Sequence, residues 1–541
     1  MFDQRQNRPL RERPVLSFAL AEWTRLSAMQ PQSAVPEAVI GAWSDVEAFD
    51  SGRIAPVFRE KMSGSAFSDD FFILEEGGRI VLSGRSDRAT LYAVYQYARE
   101  AWGLQRTYPG EIGRFDRRTA HGSITKYYSP RFERRGFVIE TYRDPAYLKQ
   151  LIDWLAKNGI NEIFFTFMLW DAVRDEVAPE IKKRGLRVTL GGHSMKFFTD
   201  RSESLRVLQG GHPYTARRQF DYRDESWFPG FFAQLSDYCK EVPNLTQLSL
   251  WPEDMADSSG AGFLSSYIGF AERLKAHLLA EGFDVEVEHI AYNAGLSWEM
   301  LELGDARPSA GVDTLFAYWG RDYRYGYADT PHESERRAGR ALAEWKAAAR
   351  GTGTKTTIFE YYSDHFMLST LFPALPHRIA EDIEFYAALG VEGMVNLIVP
   401  YRGAMDYPWQ WAHGFNSFVF ARAMWGESLE SILDEYYAGY PAEERRTVRD
   451  LFERIERTVA EATRWNVPLF PARAVDVERA AADREQADAV IEMLERIQAG
   501  LSPVPDLAPG EPADSFRKYV TRLIEQAAAL ERQWREKRES M

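Results

Sequence analysis

Short apolar runs alternate with helix-like segments eight times between residues 130 and 430, and this alternation constrains the fold more than any other feature. The runs are RGFVIE (135–140), EIFFTFM (162–168), RVTLGG (187–192), TQLSLW (246–251), VEVEHIAYN (285–293), DTLFAYWG (313–320), KTTIFEYY (355–362) and VEGMVNLIV (391–399). Segments such as 145–159, 266–282 and 376–390 lie between them and carry apolar residues at helical spacing. Eight such repeats predict an α/β fold built on a closed (β/α)8 barrel. An open doubly wound sheet is disfavoured because no glycine-rich phosphate loop follows the first run.

The regions on either side of this repeat differ from it in pattern. Residues 1–125 contain FFILEEGGRIVLSG (71–84), which predicts two strands around a Gly-Gly turn, and then a helix over 86–100 that Ser86 caps. Residues 431–541 carry apolar residues three and four apart and predict helices. We therefore expect a small α/β domain (1–125), a barrel domain (126–430) and a C-terminal helical domain (431–541).

Composition excludes several classes of function. The formal net charge of −14 argues against nucleic acid or an anionic membrane surface as the main partner, because both require a basic surface. The single cysteine, Cys239, allows no disulfide within the chain, and no run of about 18 apolar residues predicts a membrane span. The first 15 residues lack an apolar signal core, so we expect a cytoplasmic protein.

Candidate functional residues lie where the predicted strands end, because catalytic groups of this barrel fold occupy the C-terminal ends of its strands. Three carboxylates stand out as catalytic candidates: Glu253 and Asp254 after the fourth run, and Glu360 in the seventh. The remaining strand ends supply candidates for substrate binding, namely Glu140, Tyr142, Arg143, His193, Trp251, Tyr292, Asn293, Tyr318, Arg321, Tyr361, Tyr362, Asn396, Tyr401 and Arg402.

Paired carboxylates on two strands of one barrel suit glycoside hydrolysis. One carboxyl group protonates the leaving oxygen, and the other activates water or attacks the anomeric carbon. Strands four and seven lie on facing sides of an eight-stranded ring, so Glu253 or Asp254 is expected opposite Glu360. The choice between retention and inversion depends on the carboxyl separation, which the sequence does not give.

The sequence predicts no metal or other cofactor. The nine histidines form no HExxH pair, and there is no CxxC pair, GxSxG elbow or Walker sequence. The expected partner is an oligosaccharide or glycoside substrate, and the C-terminal helices offer a contact for a homodimer.

Several stretches resemble known glycoside hydrolases. IVLSGRSDRATLYAVYQYAREAWGLQRTYPGE resembles the small domain that precedes the barrel in α-glucuronidases of family sixty-seven and hexosaminidases of family twenty, with Gly103, Tyr108, Pro109 and Gly110 matching its exit. LSLWPEDMA and the stretches IFEYYSD, LFPALPHRIAEDIEFYAALGVEGMV and FNSFVFARAMWGESLESILDEYYAGY are similar to endo-β-N-acetylglucosaminidases of family one hundred and sixty-three. The resemblance covers roughly residues 70–440 and implies a barrel glycosidase whose acidic residue aligns with Asp254.

One departure from these families bears on the mechanism. The Asp-Glu doublet of the hexosaminidases stands here in reverse order, as Glu253-Asp254, which leaves acetamide assistance and the identity of the proton donor open. Two other functions remain as alternatives. A carbohydrate-binding protein without catalysis would tolerate loss of the acids, and a barrel lyase or isomerase would use Glu360 and His193 as proton shuttles.

Overall fold

A computed structural model describes most of the chain. The described residues are 12–29, 37–50, 56–111, 114–115, 123–199, 220–253, 262–293, 297–368, 370–399, 407–464, 473–478 and 483–541. Asp254, Tyr401 and Arg402 lie outside these residues.

The N-terminal domain contains a small mixed sheet of order β1-β3-β2-β6. The strands of this region are β1 (Glu37–Ala42), β2 (Phe71–Glu76), β3 (Arg79–Gly84), β4 (Leu104–Gln105), β5 (Arg114–Phe115) and β6 (Thr125–Tyr128), and the helices are α1 (Pro14–Met29), α2 (Trp43–Asp50), α3 (Pro56–Gly64) and α4 (Asp87–Trp102). The predicted hairpin is confirmed, because β2 and β3 pair antiparallel across Gly77 and Gly78, which both have positive φ. The Ser86 side chain accepts from the Ala89 N–H and caps α4, as predicted.

Eight parallel strands form a closed barrel and confirm the predicted fold. From β7 onwards, each strand pairs with the strand that follows it in the sequence, and β14 pairs with β7 to close the ring. The strands are β7 (Arg134–Ile139), β8 (Glu162–Thr166), β9 (Arg187–Gly192), β10 (Leu245–Leu250), β11 (Glu286–Tyr292), β12 (Asp313–Ala317), β13 (Thr356–Asp364) and β14 (Gly393–Val399).

Helices cover the outside of the barrel in the connections between strands. They are α5 (Pro145–Lys157), α6 (Phe167–Arg184), α7 (Met195–Thr199), α8 (Phe228–Cys239), α9 (Phe263–Ala280), α10 (Glu333–Thr352), α11 (His365–Leu368) and α12 (Pro376–Leu389), with 3-10 turns at Glu225–Trp227 and Trp298–Met300. The sequence sets their ends locally. Asp144 accepts from the Ala146 and Tyr147 N–H groups at the start of α5, and Gly390 ends α12 in a left-handed conformation.

A polar layer fills the barrel near the beginning of its strands. Arg134 Nε donates to Glu162 at 2.9 Å, and Arg134 Nη1 donates to Glu288 Oε2 at 2.6 Å. Gln247 Nε2 also donates to Glu288 Oε2, at 2.9 Å. Since these side chains are buried and bonded to one another across the ring, they close this end of the barrel. The open mouth is therefore at the C-terminal ends of the strands.

The C-terminal region is helical, as predicted, and packs on the barrel. Its helices are α13 (Gln410–Ala423), α14 (Leu429–Tyr437), α15 (Arg445–Val459), α16 (Arg484–Leu501) and α17 (Ala513–Glu539), with a 3-10 turn at Ala460–Thr463. The apolar face of α15, including Leu451, Phe452 and Ile455, is at most 1% exposed within one chain. The apolar face of this helix is therefore already covered, and a homodimer through the C-terminal helices stays a prediction that this packing does not favour.

Two observations bear on domain limits and membrane contact. Strand β6 pairs with β2, so the N-terminal sheet extends to Tyr128, a few residues past the expected limit at 125. All barrel strands lie within 134–399, inside the expected barrel domain. Among the described residues, no helix has the length and apolar character that crossing a membrane requires.

Candidate active site

The floor of the barrel mouth is aromatic. Trp251, which directly follows β10, is 1% exposed, and its ring centroid lies 5.3 Å from Phe164 and 5.5 Å from Phe359. Phe359 also contacts Tyr361 two residues along β13, with ring centroids 4.7 Å apart. Because Phe359 meets Trp251 from a strand three positions away around the ring, Phe359 and Tyr361 face the barrel interior. The site therefore rests on a layer of packed aromatic rings.

His193 lies above this floor, where β9 ends. Its Nδ1 lies 2.6 Å from the Pro252 carbonyl oxygen, and its ring packs against Trp251 and Tyr292 with centroids 5.1 and 6.1 Å away. Gly191, two residues before His193, lets β9 approach β10 this closely. A Cβ on Gly191 would come within 1.8 Å of the Ser249 carbonyl oxygen of β10. His193 thus joins the exits of β9, β10 and β11.

The charges of two carboxylates, one directly after β7 and one at the end of β13, raise the pKa of one tyrosine at the mouth. Glu140 directly follows β7, and Asp364 is the last residue of β13. Burial is the main cause that holds the pKa of the Tyr361 phenol well above its ordinary value of 10. Electrostatic interactions with Tyr292, Asp364 and Glu140 raise that pKa further. The phenol is therefore neutral near pH 7 and can donate a hydrogen bond, and the charges of Asp364 and Glu140 both act on it.

The β7 side of this group is fixed by a backbone contact. Thr166 Oγ1 donates to the Glu140 carbonyl oxygen at 2.9 Å and accepts from the Leu169 N–H at the start of α6. Thr166 is the last residue of β8, so a single hydroxyl links the exits of β7 and β8 to a helix cap. The Glu140 backbone is held in place by this bond.

A third carboxylate follows β10 on another side of the mouth. Glu253 is partly buried, and its charge contributes to the raised pKa of buried Tyr222, for which burial is the largest cause. In the ring, β10 lies three strands from β13 in one direction and three strands from β7 in the other. Glu253 therefore follows a strand on the side of the ring that faces both β13 and β7, and Asp254, its neighbour in sequence, lies outside the described residues.

The C-terminal region also reaches the mouth. Arg473 is 3% exposed, its Nη2 donates to Thr370 Oγ1 at 2.6 Å, and its Nε lies 3.9 Å from Asp476. Burial is the main cause that lowers the pKa of Arg473, against which the charges of Asp476 and Asp364 act. Trp534 Nε1 of α17 donates to the Val475 carbonyl oxygen at 3.0 Å and fixes this segment. A helix remote in sequence thus holds a cation beside the carboxylate of Asp364.

Histidines and a tyrosine surround Asp364 on the β14 side. His365 Nδ1 lies 3.1 Å from Tyr407 Oη, and the Asp364 charge contributes to the raised pKa of Tyr407, after burial. Burial lowers the pKa of His365 to about 4 and that of His413 to about 3. Both imidazoles are therefore neutral near pH 7, which leaves Arg473 as the cation of this group.

The structure corrects the expected position of Glu360. Its carboxylate is 1% exposed and accepts from Arg321 Nη1 at 2.7 Å, from Tyr323 Oη at 3.1 Å and from Tyr386 Oη. Tyr386 belongs to α12, so Glu360 points out of the barrel towards the helices. The reason is strand alternation, since Phe359 and Tyr361 on either side of it face inward. Burial, as the largest cause, raises the pKa of Glu360 in this network.

Four other expected site residues lie in the same outer layer rather than in the mouth. Arg321 bonds Asp382 of α12 as well as Glu360, and Tyr362 Oη donates to Asp382 Oδ2 at 2.8 Å. Asn396 Nδ2 donates to Ser363 Oγ at 3.1 Å, and the Ser363 hydroxyl contacts α13. The ring of Tyr318 stacks on Trp298 at 6.0 Å. These side chains fasten the barrel strands to the helices and connections around them.

Three further candidates lie at the rim. Asn293 holds the Trp319 backbone through two bonds, accepting from its N–H at 2.9 Å and donating to its carbonyl oxygen at 2.7 Å. Tyr142 is buried with its ring 5.0 Å from Tyr147, whereas Arg143 is exposed. Asn293 therefore positions the β12 exit, and Arg143 is open to solvent.

Two residues of the site were not predicted from the sequence. Asp364 stands four residues after Glu360, and its signal was its place as the final polar residue of a long apolar run. Arg473 had no local signal, because only the tertiary fold brings residues 473–478 over the mouth. Within the described residues, no cluster of three or more His, Cys, Asp or Glu side chains has the arrangement of a metal site.

The fold is similar to those of several carbohydrate-active enzymes of known structure. A family GH115 4-O-methyl-α-glucuronidase with specificity for decorated arabinogalactans superposes with a TM-score of 0.59 at 14% identity, over 96% of this chain and 70% of that one. A GH138 enzyme that targets pectin rhamnogalacturonan II gives 0.60 at 12% identity, over 97% and 69%. CpGH84B gives 0.52 at 9% identity, over 95% and 84%. The predicted resemblance to glycoside hydrolases of the α-glucuronidase and hexosaminidase type is thus confirmed at the level of the fold.

Comparison by sequence adds no assignment. No protein-family model matches the chain, and no curated protein matches it. The structural neighbours are under 15% identical to the chain, so they establish the barrel architecture and leave the chemistry to the residues of the mouth.

Proposed function

We propose that the protein is a glycoside hydrolase that cleaves a glycosidic bond of an oligosaccharide or glycoconjugate at the mouth of the barrel. The observation that carries the proposal is the position of Asp364 at the end of β13 and of Glu253 after β10, on facing sides of the ring, at the exits of strands that surround an aromatic floor. Glycoside hydrolysis requires paired carboxyl groups, and sugars pack their CH faces on aromatic rings. The fold shared with carbohydrate-active enzymes supports this assignment.

In this proposal Asp364 is the base or nucleophile. The charge of this carboxylate acts on the buried guanidinium of Arg473, and the same attraction stabilises the ionised form of the carboxyl group. The carboxylate attacks the anomeric carbon or takes a proton from the attacking water. Glu140 then accepts hydrogen bonds from substrate hydroxyl groups, beside the Tyr361 phenol.

The proton donor comes from the exit of β10. Glu253, or Asp254 next to it, protonates the glycosidic oxygen as its bond to the anomeric carbon breaks, and water supplies the proton and hydroxide that complete the two products. A proton donor needs a raised pKa, which burial and a nearby carboxylate provide in general. His193, which bonds the Pro252 carbonyl oxygen, fixes the backbone beside Glu253.

A substrate screen with paired variants tests the proposal. Aryl glycosides and oligosaccharides of differing sugars are incubated with the protein and with Glu253→Gln, Asp254→Asn and Asp329→Asn, the last altering an exposed acid in the connection between β12 and α10. We expect hydrolysis by the parent protein and by Asp329→Asn, and its loss in one of the two β10 variants. Sugar binding without hydrolysis of any substrate would instead favour a carbohydrate-binding protein, and full activity in both β10 variants would contradict the assigned donor.

A further inference from the structure

A second cavity lies where the three regions of the chain meet. Its volume is about 650 Å³, within the roughly 300–1,000 Å³ typical of small-molecule sites. It is bounded by α4, β6, the turn after α5 and the connection between α13 and α14. We call it the junction cavity. Asn158 and Gly159 of its wall directly precede β8, so the cavity lies towards the end of the barrel opposite the mouth.

The charges of the junction cavity neutralise one another. Arg99 donates to Glu427 at 2.7 Å and is paired with Glu435, and Arg422 is also paired with Glu427. Lys126 lies 3.3 Å from Glu100. The wall contains the cations Arg99, Lys126, Lys157 and Arg422 and the anions Glu100, Glu427, Asp434 and Glu435. A wall with as many anions as cations gives a charged ligand no net attraction, but it offers many hydrogen-bonding groups.

The same wall carries partly exposed aromatic rings. Tyr128 and Trp425 are both partly buried, and Tyr128 Oη donates to Glu100 at 2.7 Å. Trp425 Nε1 donates to the Gly159 carbonyl oxygen at 3.1 Å, which fixes the indole at the edge of the cavity. An aromatic body with its polar atom already bonded offers an apolar surface to a ligand.

We propose that the junction cavity binds a neutral, polyhydroxylated ligand, of the class of a mono- or disaccharide. Hydroxyl groups match a wall of paired charges because each can donate to a carboxylate and accept from a guanidinium or ammonium. The CH face of such a ligand can pack on the part of the Trp425 and Tyr128 rings that Phe71, Lys126 and Arg135 leave exposed. The proposal does not depend on chemistry at the mouth, since the two sites share no residue.

A substitution at the rim of the cavity tests the proposal. Ser431 is exposed on α14 and lines the cavity, whereas its neighbour Glu430 is exposed and does not line it. Ser431→Trp fills the cavity from its edge, and Glu430→Trp is the matched control. Binding of glucose, galactose, N-acetylglucosamine, maltose and cellobiose is followed by calorimetry in an Asp364→Asn background, which prevents turnover at the mouth.

We expect at least one of these sugars to bind with a Kd near the millimolar range, and Ser431→Trp to weaken that binding at least about tenfold while Glu430→Trp leaves it unchanged. If Ser431→Trp does not fold by circular dichroism, Asp434→Trp, on the same rim, replaces it. No binding at roughly 10 mM sugar, or binding that the rim variants leave intact, overturns the proposal. Tighter binding of glucuronate or glucosamine than of glucose overturns the choice of a neutral ligand.

Discussion

Glu360 and Asp364 belong to the same strand, four residues apart, and both are 1% exposed, but they face different sides of the barrel wall. Glu360 faces the helices and is bonded by Arg321, Tyr323 and Tyr386 in a layer without solvent. Asp364 ends the strand at the mouth, where its charge acts on Tyr361 and Arg473. The difference shows that the face of a strand, and not proximity to its end, decides whether a carboxylate can meet a substrate.

The pairing of β13 shows how the strand makes this division. Glu360 pairs with Asn396 and Ser363 with Ile398, so the register shifts by one residue between them. Such an irregularity adds a residue to one strand and redirects the side chains that follow it. The outer layer should therefore govern stability and the mouth should govern activity, and substitutions in either place test that division.

The largest effect is expected from Asp364→Asn. The amide keeps the size of the side chain but can neither attack nor accept a proton, so we expect kcat to fall about 10²–10⁴-fold on an activated aryl glycoside. The melting temperature should fall less than in Glu360→Gln, because the amide has the size of the carboxylate and Arg473 keeps its contacts with Thr370 and Asp476. Steady-state kinetics and a thermal melt on the same preparation check both halves, and unchanged kcat would remove Asp364 from the mechanism.

Glu360→Gln is expected to act on stability. The amide weakens the bonds to Arg321, Tyr323 and Tyr386, and we expect a loss of about 2 kcal/mol in the free energy of unfolding. Glu381→Gln, which alters an exposed acid on the same helix layer, is the control and should stay within about 0.5 kcal/mol. Denaturant titration gives the values. A stable Glu360→Gln protein without activity would reverse the roles of the two carboxylates.

A pH dependence of stability is expected from the layer beside the mouth. Burial lowers the pKa of His413 to about 3, below its ordinary value of 6.5. As the pH falls, His413 therefore binds a proton in the unfolded chain before it does so in the folded protein. The free energy of unfolding decreases as the pH falls from about 6.5 towards 3. Between pH 6.5 and 5.5 the parent should lose about 1 kcal/mol more than His413→Phe. Equal losses in denaturant titrations at the two pH values would contradict a neutral buried His413.

Arg473→Gln should have the smallest effect, a shift in the pH dependence of kcat/KM. Without the guanidinium, the carboxylate beside it is protonated more easily, so the acid limb of the kcat/KM profile should move upward by roughly one pH unit. Arg473→Lys restores the charge and should return the limb most of the way. An acid limb that stays in place in Arg473→Gln, measured in a protein with an unchanged melting temperature, would show that this cation does not act on the catalytic carboxylate.

The barrel was predictable from the sequence, whereas the inward faces of its strands were not. Strand positions followed from eight apolar runs, and all eight strands formed within a few residues of them. Strand β13 reads TTIFEYYSD and is buried on both faces, so it has no polar alternation that would separate Glu360 from its inward neighbours. His193, Trp251, Tyr292 and Tyr361 were predicted at strand ends because aromatic and imidazole groups there are a local signal, and their roles in binding stay predictions.

Other parts of the site depend on long-range packing that a single sequence does not encode locally. Arg473 is held by α17 through Val475, and Arg321 reaches Glu360 only because α12 brings Asp382 and Tyr386 to the same layer. The junction cavity is likewise formed by segments separated by more than 300 residues, from Arg99 to Glu427. Each of these contacts joins elements whose order in the sequence does not predict their proximity.

Chemical rescue distinguishes the roles of the two β13 carboxylates. Asp364→Gly and Glu360→Gly are assayed on an activated aryl glycoside with and without sodium azide, which can replace a missing carboxylate at the anomeric carbon. We predict that azide restores turnover in Asp364→Gly, with a glycosyl azide as product, and changes nothing in Glu360→Gly. Rescue of Glu360→Gly with none in Asp364→Gly would contradict the assignment of the chemistry to the mouth-facing end of β13.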